Sequence, residues 1–352
     1  MPLNFGLGEQ LLLLLAIGIG ILMLFALGFA GSVVLLRLHH QRRAEKWSVL
    51  EARWEDVILE MLAEDRDPST VHALVAEGEE LFCVSYIMRY ARRLTGPERE
   101  RLQDLARPYL PLVVPRAQHR DARRRARAVR TLGTLGLPDY ADIVAAALGD
   151  DSPLVSMVAA RALAGSKDPD YVAPVLDHLD RFTAWSPNFL ASMLASIGAG
   201  ATPALRAVLA DAKRPPEVRA VAATALGYLN DLAGGDIAVR VLAQASDREL
   251  LAAALRLIGR VGHRDHRSAV LPFLTASDFY VRATAASALG NVGDKEDLEL
   301  LRIACEDDSR WVAIHAARAL RDAGDIDALQ QLAVSGGPRA TLALQVLSEV
   351  GG

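Results

Sequence analysis

The chain contains few of the residues on which disulfide frameworks and β-sheet cores depend. It has two cysteines in 352 residues, Cys83 and Cys305, which are too few and too far apart to indicate a disulfide framework. We expect both to be buried thiols in a reducing compartment. Aromatic residues make up only 5% of the chain, while alanine and leucine dominate. This composition is typical of closely packed helices rather than strands.

The common motifs of catalysis are also missing from the sequence. It has no P-loop, no glycine fingerprint between a strand and a helix, no zincin histidine pair and no nucleophile elbow. His263 and His266 flank a short loop with Asp265 and could hold a metal, but the sequence shows no further ligand nearby, so we favour a solvated polar turn. We therefore expect a protein that is not an enzyme, with no cofactor, no metal and no small-molecule substrate.

Lysine is rare, and charge is unevenly distributed along the chain. Residues 1–130 hold 19 basic and 16 acidic side chains, whereas the remainder holds 20 basic and 27 acidic ones. Nearly all the cations are arginine. The excess of positive charge therefore lies in the first part of the chain.

An uncharged run from Leu11 to Leu36 follows a short N-terminal segment, residues 1–10. At about 1.5 Å per helical residue it exceeds the hydrocarbon core of a bilayer, about 30 Å thick. Arg37, Arg42, Arg43 and Lys46 follow it at once, as in a stop-transfer signal. We predict a single transmembrane helix over 11–36 in the plasma (inner) membrane, with residues 1–10 outside and the remainder cytoplasmic.

A cleaved signal peptide is the alternative for this run. Gly28 to Ala30 would then provide the cleavage site. Two features disfavour it: no Lys or Arg precedes the run, and the run is longer than a normal signal-peptide core.

Residues 37–110 are predicted to form a juxtamembrane helical region that caps the rest of the protein. Apolar residues recur in steps of three and four along its first helix and form a narrow seam. We expect this seam to contact the protein's own next helix rather than to form a coiled coil. It consists of Trp47, Leu50, Trp54, Val57 and Met61.

Residues 116–130 are the most charged stretch. On a helical wheel five arginines fall within a stripe about 80° wide, opposite Ala122, Ala126 and Val129. This basic ridge consists of Arg116, Arg120, Arg123, Arg127 and Arg130. A solvated helix face is the simplest interpretation. As an alternative function, the ridge could bind anionic lipid, an acidic partner or nucleic acid, in that order of preference.

The segment from Asp278 to Gly293 reads DFYVRATAASALGNVG and recurs along the second part of the chain. Its small apolar residues fall at helical spacing, so a second helix can approach closely, and Gly290 and Gly293 are expected to end the helix. The copies are spaced 29 to 34 residues apart. With Gly290 as the marker, equivalent positions are Gly133, Ala164, Gly198, Gly227, Gly259 and Arg321. Such a period predicts an all-α solenoid of helix pairs over residues 111–352.

Within this segment, Val281-Arg282, Ala285-Ala286 and Ala288-Leu289-Gly290 recur as Val218-Arg219, Ala222-Ala223 and Ala225-Leu226-Gly227. In these residues the chain resembles the HEAT-repeat family in its bacterial, short-period form, from about Ala117 onward. The resemblance implies that the second helix of each pair lines the concave face of the array. HEAT arrays mostly serve as scaffolds, which favours that role here. Some relatives with similar repeats act as chromophore lyases or DNA glycosylases, but no motif in this sequence links the chain to either.

If the second helices line the concave face, three positions of each unit point into it: ten, six and three residues before the marker. We call these positions the groove columns. The residues predicted to bind a partner are Arg161, Arg256, Tyr280, Trp311, His315 and Arg318. These aromatic and arginine side chains are typical of interface hot spots, although Trp311 could instead cover the last repeat. We expect a membrane-anchored scaffold or regulatory subunit that binds a partner protein, for example an accessory to a membrane glycosyltransferase.

Overall fold

The structure is a computed structural model that describes residues 7–64, 67–182 and 185–349. All regular secondary structure in these ranges is helical. The chain divides into two compact units, residues 1–112 and 113–352. The boundary falls two residues after the one that the sequence predicts.

The first unit is organised on one long helix, α1 (Leu7–Glu64), of 58 residues. It includes the predicted membrane span and the predicted juxtamembrane helix without interruption. Its window Leu15–Ser32 has a mean hydropathy of 2.2 and no buried residue. Among the described helices, α1 alone is by itself long and apolar enough to cross a membrane. A signal sequence near the N-terminus would meet the same criteria of length and composition as the window Leu15–Ser32.

Three shorter helices pack on the second half of α1: α2 (Ser69–His72), α3 (Glu80–Tyr90) and α4 (Pro97–Ala106). Trp54 is fully buried, and its ring contacts Tyr86 with centroids 6.2 Å apart. The seam therefore meets the protein's own helices, as predicted. One position differs, because Ile58 is buried in this core while Val57 is only half-buried.

The second unit is a solenoid in which shorter and longer helices alternate. Its helices are α5 (Ala122–Leu135), α6 (Ala141–Ala146), α7 (Pro153–Gly165), α8 (Val172–Asp177), α9 (Pro187–Ala195), α10 (Thr202–Ala210), α11 (Pro216–Tyr228), α12 (Ala233–Leu242), α13 (Arg248–Val261), α14 (Arg267–Val270), α15 (Phe279–Val292), α16 (Leu298–Ala304), α17 (Arg310–Asp322), α18 (Ile326–Val334) and α19 (Gly337–Ser348). The odd-numbered helices are the second helices of the pairs, and each contacts the next, with α7 and α9 in much less extensive contact than the other successive helices. The predicted all-α repeat solenoid is confirmed.

The sequence predicts that the marker glycine Gly290 ends its helix, but in the structure the helix continues past it. Gly290 lies inside α15. Gly293, which follows the helix, has φ −72° and ψ 173°, so it is extended rather than left-handed, and a methyl group there would lie 2.5 Å from the carbonyl oxygen of Leu289. A methyl group on Gly290 would lie 2.7 Å from Cβ and 2.9 Å from Cα of Ala319 in α17. Gly290 is therefore needed for close helix packing.

A recurring arginine ties successive pairs together. Arg282 of α15 donates from Nε and Nη2 to the carboxylate of Asp307, at 2.8 and 3.0 Å. Its Nη1 also donates to the backbone carbonyl oxygens of Ala276 and Ser277. Arg125 of α5 makes the equivalent contacts with Asp150, both at 2.8 Å. The arginine of the repeated motif thus has a structural role in both of these repeats.

Both cysteines are buried and free. Burial raises the pKa of the Cys83 thiol and of the Cys305 thiol to about 12. Both therefore remain protonated thiols at neutral pH, and their burial agrees with the expectation from the sequence.

Candidate functional site

A groove of about 920 Å³ lies along the second helices α9, α11, α13 and α15 of the solenoid. Small residues of α11, α13 and α15 form its floor, among them Ala223, Ala253 and Ala288. Polar side chains stand above this floor. They are Asn188, Glu217, Thr224, Tyr228, Glu249, Arg256, Arg260, Tyr280, Thr284, Ser287 and Asn291.

The groove columns match this lining. The column ten residues before the marker supplies Asn188, Glu217, Glu249 and Tyr280. The column three residues before it supplies Thr224, Arg256 and Ser287. The second helices therefore face the groove where the family resemblance places them.

Tyr280 is the centre of a cationic cluster in the groove. Arg256 donates a hydrogen bond from Nη1 to the Tyr280 hydroxyl at 2.7 Å. The Arg248 guanidinium carbon lies 5.0 Å from the centre of the same ring, at a cation–π distance. Arg248 also lies 3.6 Å from the carboxylate of Asp278, whose side chain caps α15. Tyr280 is thus held in place while its partner Arg256 is exposed.

Trp311, His315 and Arg318 lie together on α17, the next second helix. Trp311 is 50% exposed, and its ring meets that of His315 edge-on, with centroids 4.9 Å apart. Nδ1 of His315 lies 2.8 Å from the Ser287 hydroxyl of α15. Burial, aided by the neighbouring Arg318, lowers the pKa of His315. The shift favours the neutral imidazole.

Arg318 is already engaged within the protein. It donates from Nε and Nη2 to the carboxylate of Glu349, at 3.0 and 2.6 Å, and Arg321 donates to the same carboxylate at 3.0 Å. The hydrogen bond from Arg318 lowers the pKa of Glu349 to about 2. A partner could use Arg318 only by displacing this intramolecular pair.

Arg161, the sixth predicted residue, lies apart from the other five on α7. It is exposed, and its guanidinium carbon lies 6.0 Å from the centre of the Phe189 ring on α9. The structure therefore brings Arg256 and Tyr280 into the groove, places three residues one helix further on, and leaves Arg161 near the start of the array.

The basic ridge is not one helix, and the predicted stripe needs correction. Asp121 caps α5 by accepting a hydrogen bond from the backbone N–H of Arg123. Arg116 lies in a preceding 3-10 helix (Val114–Gln118) and Arg120 in the turn between them. Only Arg123, Arg127 and Arg130 share the helix. All five side chains are exposed.

The two histidines considered for metal binding have structural contacts instead. Nδ1 of His266 accepts a hydrogen bond from the backbone N–H of His263 at 3.0 Å. Its Nε2 lies 2.8 Å from the carboxylate of Asp236. Within the described ranges no group of three or more His, Cys, Asp or Glu side chains is arranged to hold a metal ion.

Sequence reasoning missed several groove residues. Glu217 and Glu249 occupy the same column as Tyr280, so extending that column toward the N-terminus would have found them. Tyr228, Arg260 and Asn291 directly follow their markers, a position that the columns did not include.

Residues 110–185 and 236–321 match the family model of HEAT repeats. These two stretches, which together make up just under half of the chain, are similar to HEAT repeats. Solved structures of HEAT-like arrays are similar to the solenoid at low identity. The complex of CpcE and CpcF of phycocyanin lyase from Nostoc sp. PCC7120 matches with 21% identity and a TM-score of 0.35, over 69% of this chain and 88% of that one.

Kap121p bound to Pho4p matches with 14% identity and a TM-score of 0.46, over 78% of this chain and 37% of Kap121p. Human deoxyhypusine hydroxylase in complex with glycerol matches with 16% identity and a TM-score of 0.31, over 70% of this chain and 97% of that one. No curated protein sequence matches the chain. These likenesses are too distant to assign a function.

Proposed function

We propose that this protein is a membrane-anchored scaffold or regulatory subunit that binds a partner protein in the groove of its HEAT repeats. The observation that carries the proposal is the groove itself. Its small-residue floor lets a partner segment approach the helices closely. Its exposed tyrosine, arginine, glutamate and amide side chains provide the directional contacts that fix a partner's orientation.

An extended segment suits this groove better than a partner helix. A helix bound in a groove relies on apolar anchors, whereas the large side chains here are mainly polar. An extended segment has free backbone N–H and C=O groups, and side chains such as Asn188, Ser287 and Asn291 can pair with them. We expect the partner to contribute such a segment.

The anchor in this proposal is α1, with its N-terminus outside and the HEAT repeats in the cytoplasm. The exposed apolar window Leu15–Ser32 and Arg37 just beyond it support a single-pass arrangement in the plasma (inner) membrane. Together with the bacterial resemblance, this arrangement favours a partner in a membrane enzyme complex, such as a polysaccharide-making glycosyltransferase. We propose binding, not catalysis, as the role of the chain itself.

The test compares two single variants of the full chain during affinity purification in mild detergent. Trp311→Ala removes an exposed aromatic from α17, one second helix beyond the groove lining and in the same column as Tyr280. Ile303→Ala removes an apolar side chain that is 62% exposed on α16, a first helix. We expect Trp311→Ala to weaken capture of the partner about tenfold or more, as at a hot spot, and Ile303→Ala to leave it unchanged.

Arg256→Ala is the second test variant. Arg256 is exposed in the groove, and among the described residues its guanidinium forms a hydrogen bond and a cation–π contact with Tyr280 alone. Arg318→Ala is unsuitable because it also breaks the pair with Glu349. Equal recovery of the same proteins by wild type, Trp311→Ala and Arg256→Ala would refute the proposed function.

A further inference from the structure

The packing of the marker glycines shows that the helix carrying most of the basic ridge belongs to the row of second helices. A methyl group on Gly259 would lie 2.9 Å from Cα of Ala288, just as one on Gly290 would meet Ala319. A methyl group on Gly133 of α5 would likewise overlap Ala162 of α7. In each case the residue contacted lies 29 positions later. α5 is therefore packed as the second helix of the first repeat.

Counting back from Gly133 places three ridge arginines in the groove columns. Arg123, Arg127 and Arg130 are ten, six and three residues before it. They are exposed, while Ala126 and Val129 of the same helix are buried against the array. The ridge and the groove thus occupy one face of the row of second helices.

The next second helix continues the same face. In α7 the three columns hold Leu154, Val158 and Arg161, and Leu154 is 45% exposed. Among the described residues no carboxylate pairs with the side chains of Arg123, Arg127 or Arg161. The face therefore begins with two arginines, Arg123 and Arg127, that pair with no carboxylate of the described residues, and it adds an exposed apolar side chain one helix later.

We infer that α5 and α7 extend the groove into a binding site for an acidic segment of the partner protein. This inference rests on the proposed function and specifies part of the partner. Its two supports are charge complementarity and continuity with the groove. Neighbouring helix axes lie about 8–10 Å apart, so two steps take a chain from α5 to α9, where the groove lining begins. An extended chain covers that distance in about five or six residues.

A lipid surface or a nucleic acid would use the arginines differently. Both respond to the total positive charge, so Arg116 and Arg120 would count as much as Arg123 and Arg127. An acidic segment lying along the groove columns would contact Arg123 and Arg127 and miss the two residues that precede α5. This difference provides a matched pair of variants, each removing two exposed arginines.

The experiment uses the full chain in neutral detergent and a fluorescein-labelled ten-residue peptide of alternating Glu and Ala, followed by fluorescence anisotropy. An exposed ion pair contributes a factor of about two to five in affinity. We expect Arg123→Ala/Arg127→Ala to weaken peptide binding about fivefold or more, and Arg116→Ala/Arg120→Ala less than twofold. Equal losses, or no binding of the peptide by wild type, would overturn the inference.

Two further probes test the other occupants: a ten-nucleotide oligouridine and vesicles containing phosphatidylglycerol. If either binds more tightly than the peptide and depends on Arg116 and Arg120, the ridge is a nucleic-acid or lipid site and the inference is wrong. Partner capture separates the two proposals. Loss with Trp311→Ala but not with Arg123→Ala/Arg127→Ala refutes the acidic segment alone, whereas loss with neither refutes the proposed function.

Discussion

At the scale of single residues, Gly290 sets the distance between two helices. Its missing side chain lets α15 approach the backbone of Ala319, and a Cβ there would come within 3 Å of two atoms of that alanine. Gly227 occupies the equivalent position of α11, yet its nearest neighbours are ordinary contacts at 3.7 and 3.9 Å, to Arg260 and Leu257. The same motif residue is thus indispensable in one repeat and optional in another.

We expect Gly290→Ala to destabilise the array and Gly227→Ala to leave it unchanged or slightly stabilised. Forcing a methyl group into the α15–α17 contact costs about 1–3 kcal/mol, as overpacking does. At Gly227 the same change meets no overlap and gains helix propensity, up to about 1 kcal/mol. Thermal unfolding followed by circular dichroism measures both. A Tm for Gly290→Ala equal to or above that for Gly227→Ala would contradict this account.

The role of these glycines was missed because glycine both ends helices and permits close packing. The distinguishing signal lies in the residue 29 positions later. It is alanine after Gly133, Gly259 and Gly290, but Arg256 after Gly227. Two helices can approach this closely only where both facing residues are small. The marker glycine and the residue 29 positions later therefore predict close packing together, whereas the glycine alone does not.

At the scale of elements, the ion pair between Arg282 and Asp307 joins α15 to the loop before α17. Side chains at this pair are 19% and 15% exposed, so the pair is mostly shielded from water. We expect Asp307→Asn to lower the free energy of unfolding by about 1.5–3 kcal/mol, the range for hydrogen bonds to charged groups. Glu299→Gln, at the exposed pair of Arg302, is the control and should change it by less than about 1 kcal/mol. Equal effects in urea unfolding would contradict the structural role of Arg282.

The same pair makes a testable contribution to pH dependence. The hydrogen bond from Arg282 lowers the pKa of Asp307 below 3.8, against the opposing effect of burial. A lowered pKa means that the folded state binds fewer protons than the unfolded state, so this stability is complete above about pH 4 and declines as the pH falls. The Tm difference between wild type and Asp307→Asn should therefore shrink between pH 7 and pH 3. A difference that stays constant would show that Asp307 titrates normally.

The terminal helix α19 depends on Glu349 in a comparable way. Its carboxylate binds Arg318 and Arg321 of α17, and its pKa of about 2 keeps it ionised at any physiological pH. We expect Glu349→Gln to speed amide hydrogen exchange in α19 while the Tm of the array stays the same. Glu296→Gln, an exposed residue before α16, should change neither quantity. Unchanged exchange in α19 would show that its apolar contacts alone hold it.

The start of α5 shows what the sequence could and could not predict about an element. A wheel drawn through residues 116–130 assumes one helix, but Asp121 caps a helix that begins only at Ala122. Asp before a helical run is a recognised start signal, so this boundary was available in the sequence. The contact of Arg318 with Glu349, by contrast, joins residues in neighbouring repeats, and no local pattern specifies it.

At the scale of the whole molecule, the repeat period made the solenoid predictable. A spacing near 31 residues with small residues in fixed positions leaves few ways to bury the helices other than stacking them in pairs. The groove-facing columns followed from this spacing together with the family resemblance, which implies that the second helices line the concave face. What the period could not supply is how charge is arranged across columns, because the glutamates and arginines of the groove vary from one repeat to the next.

The N-terminal apolar run is not part of the repeats, and whether it is retained or cleaved is a prediction for the whole chain. Cleavage after Ala30 would cut α1, a continuous helix that carries Trp54 into the core of the first unit. We expect the purified protein to keep residues 1–30, as measured by intact mass, and to resist alkaline extraction from membranes.

Gly28→Leu/Ala30→Leu removes the small residues that a signal peptidase requires. It should leave the mass of the mature chain unchanged apart from the substitutions. A wild-type chain that begins after Ala30, with this variant retaining the segment, would establish a signal peptide and remove the anchor from the proposed function.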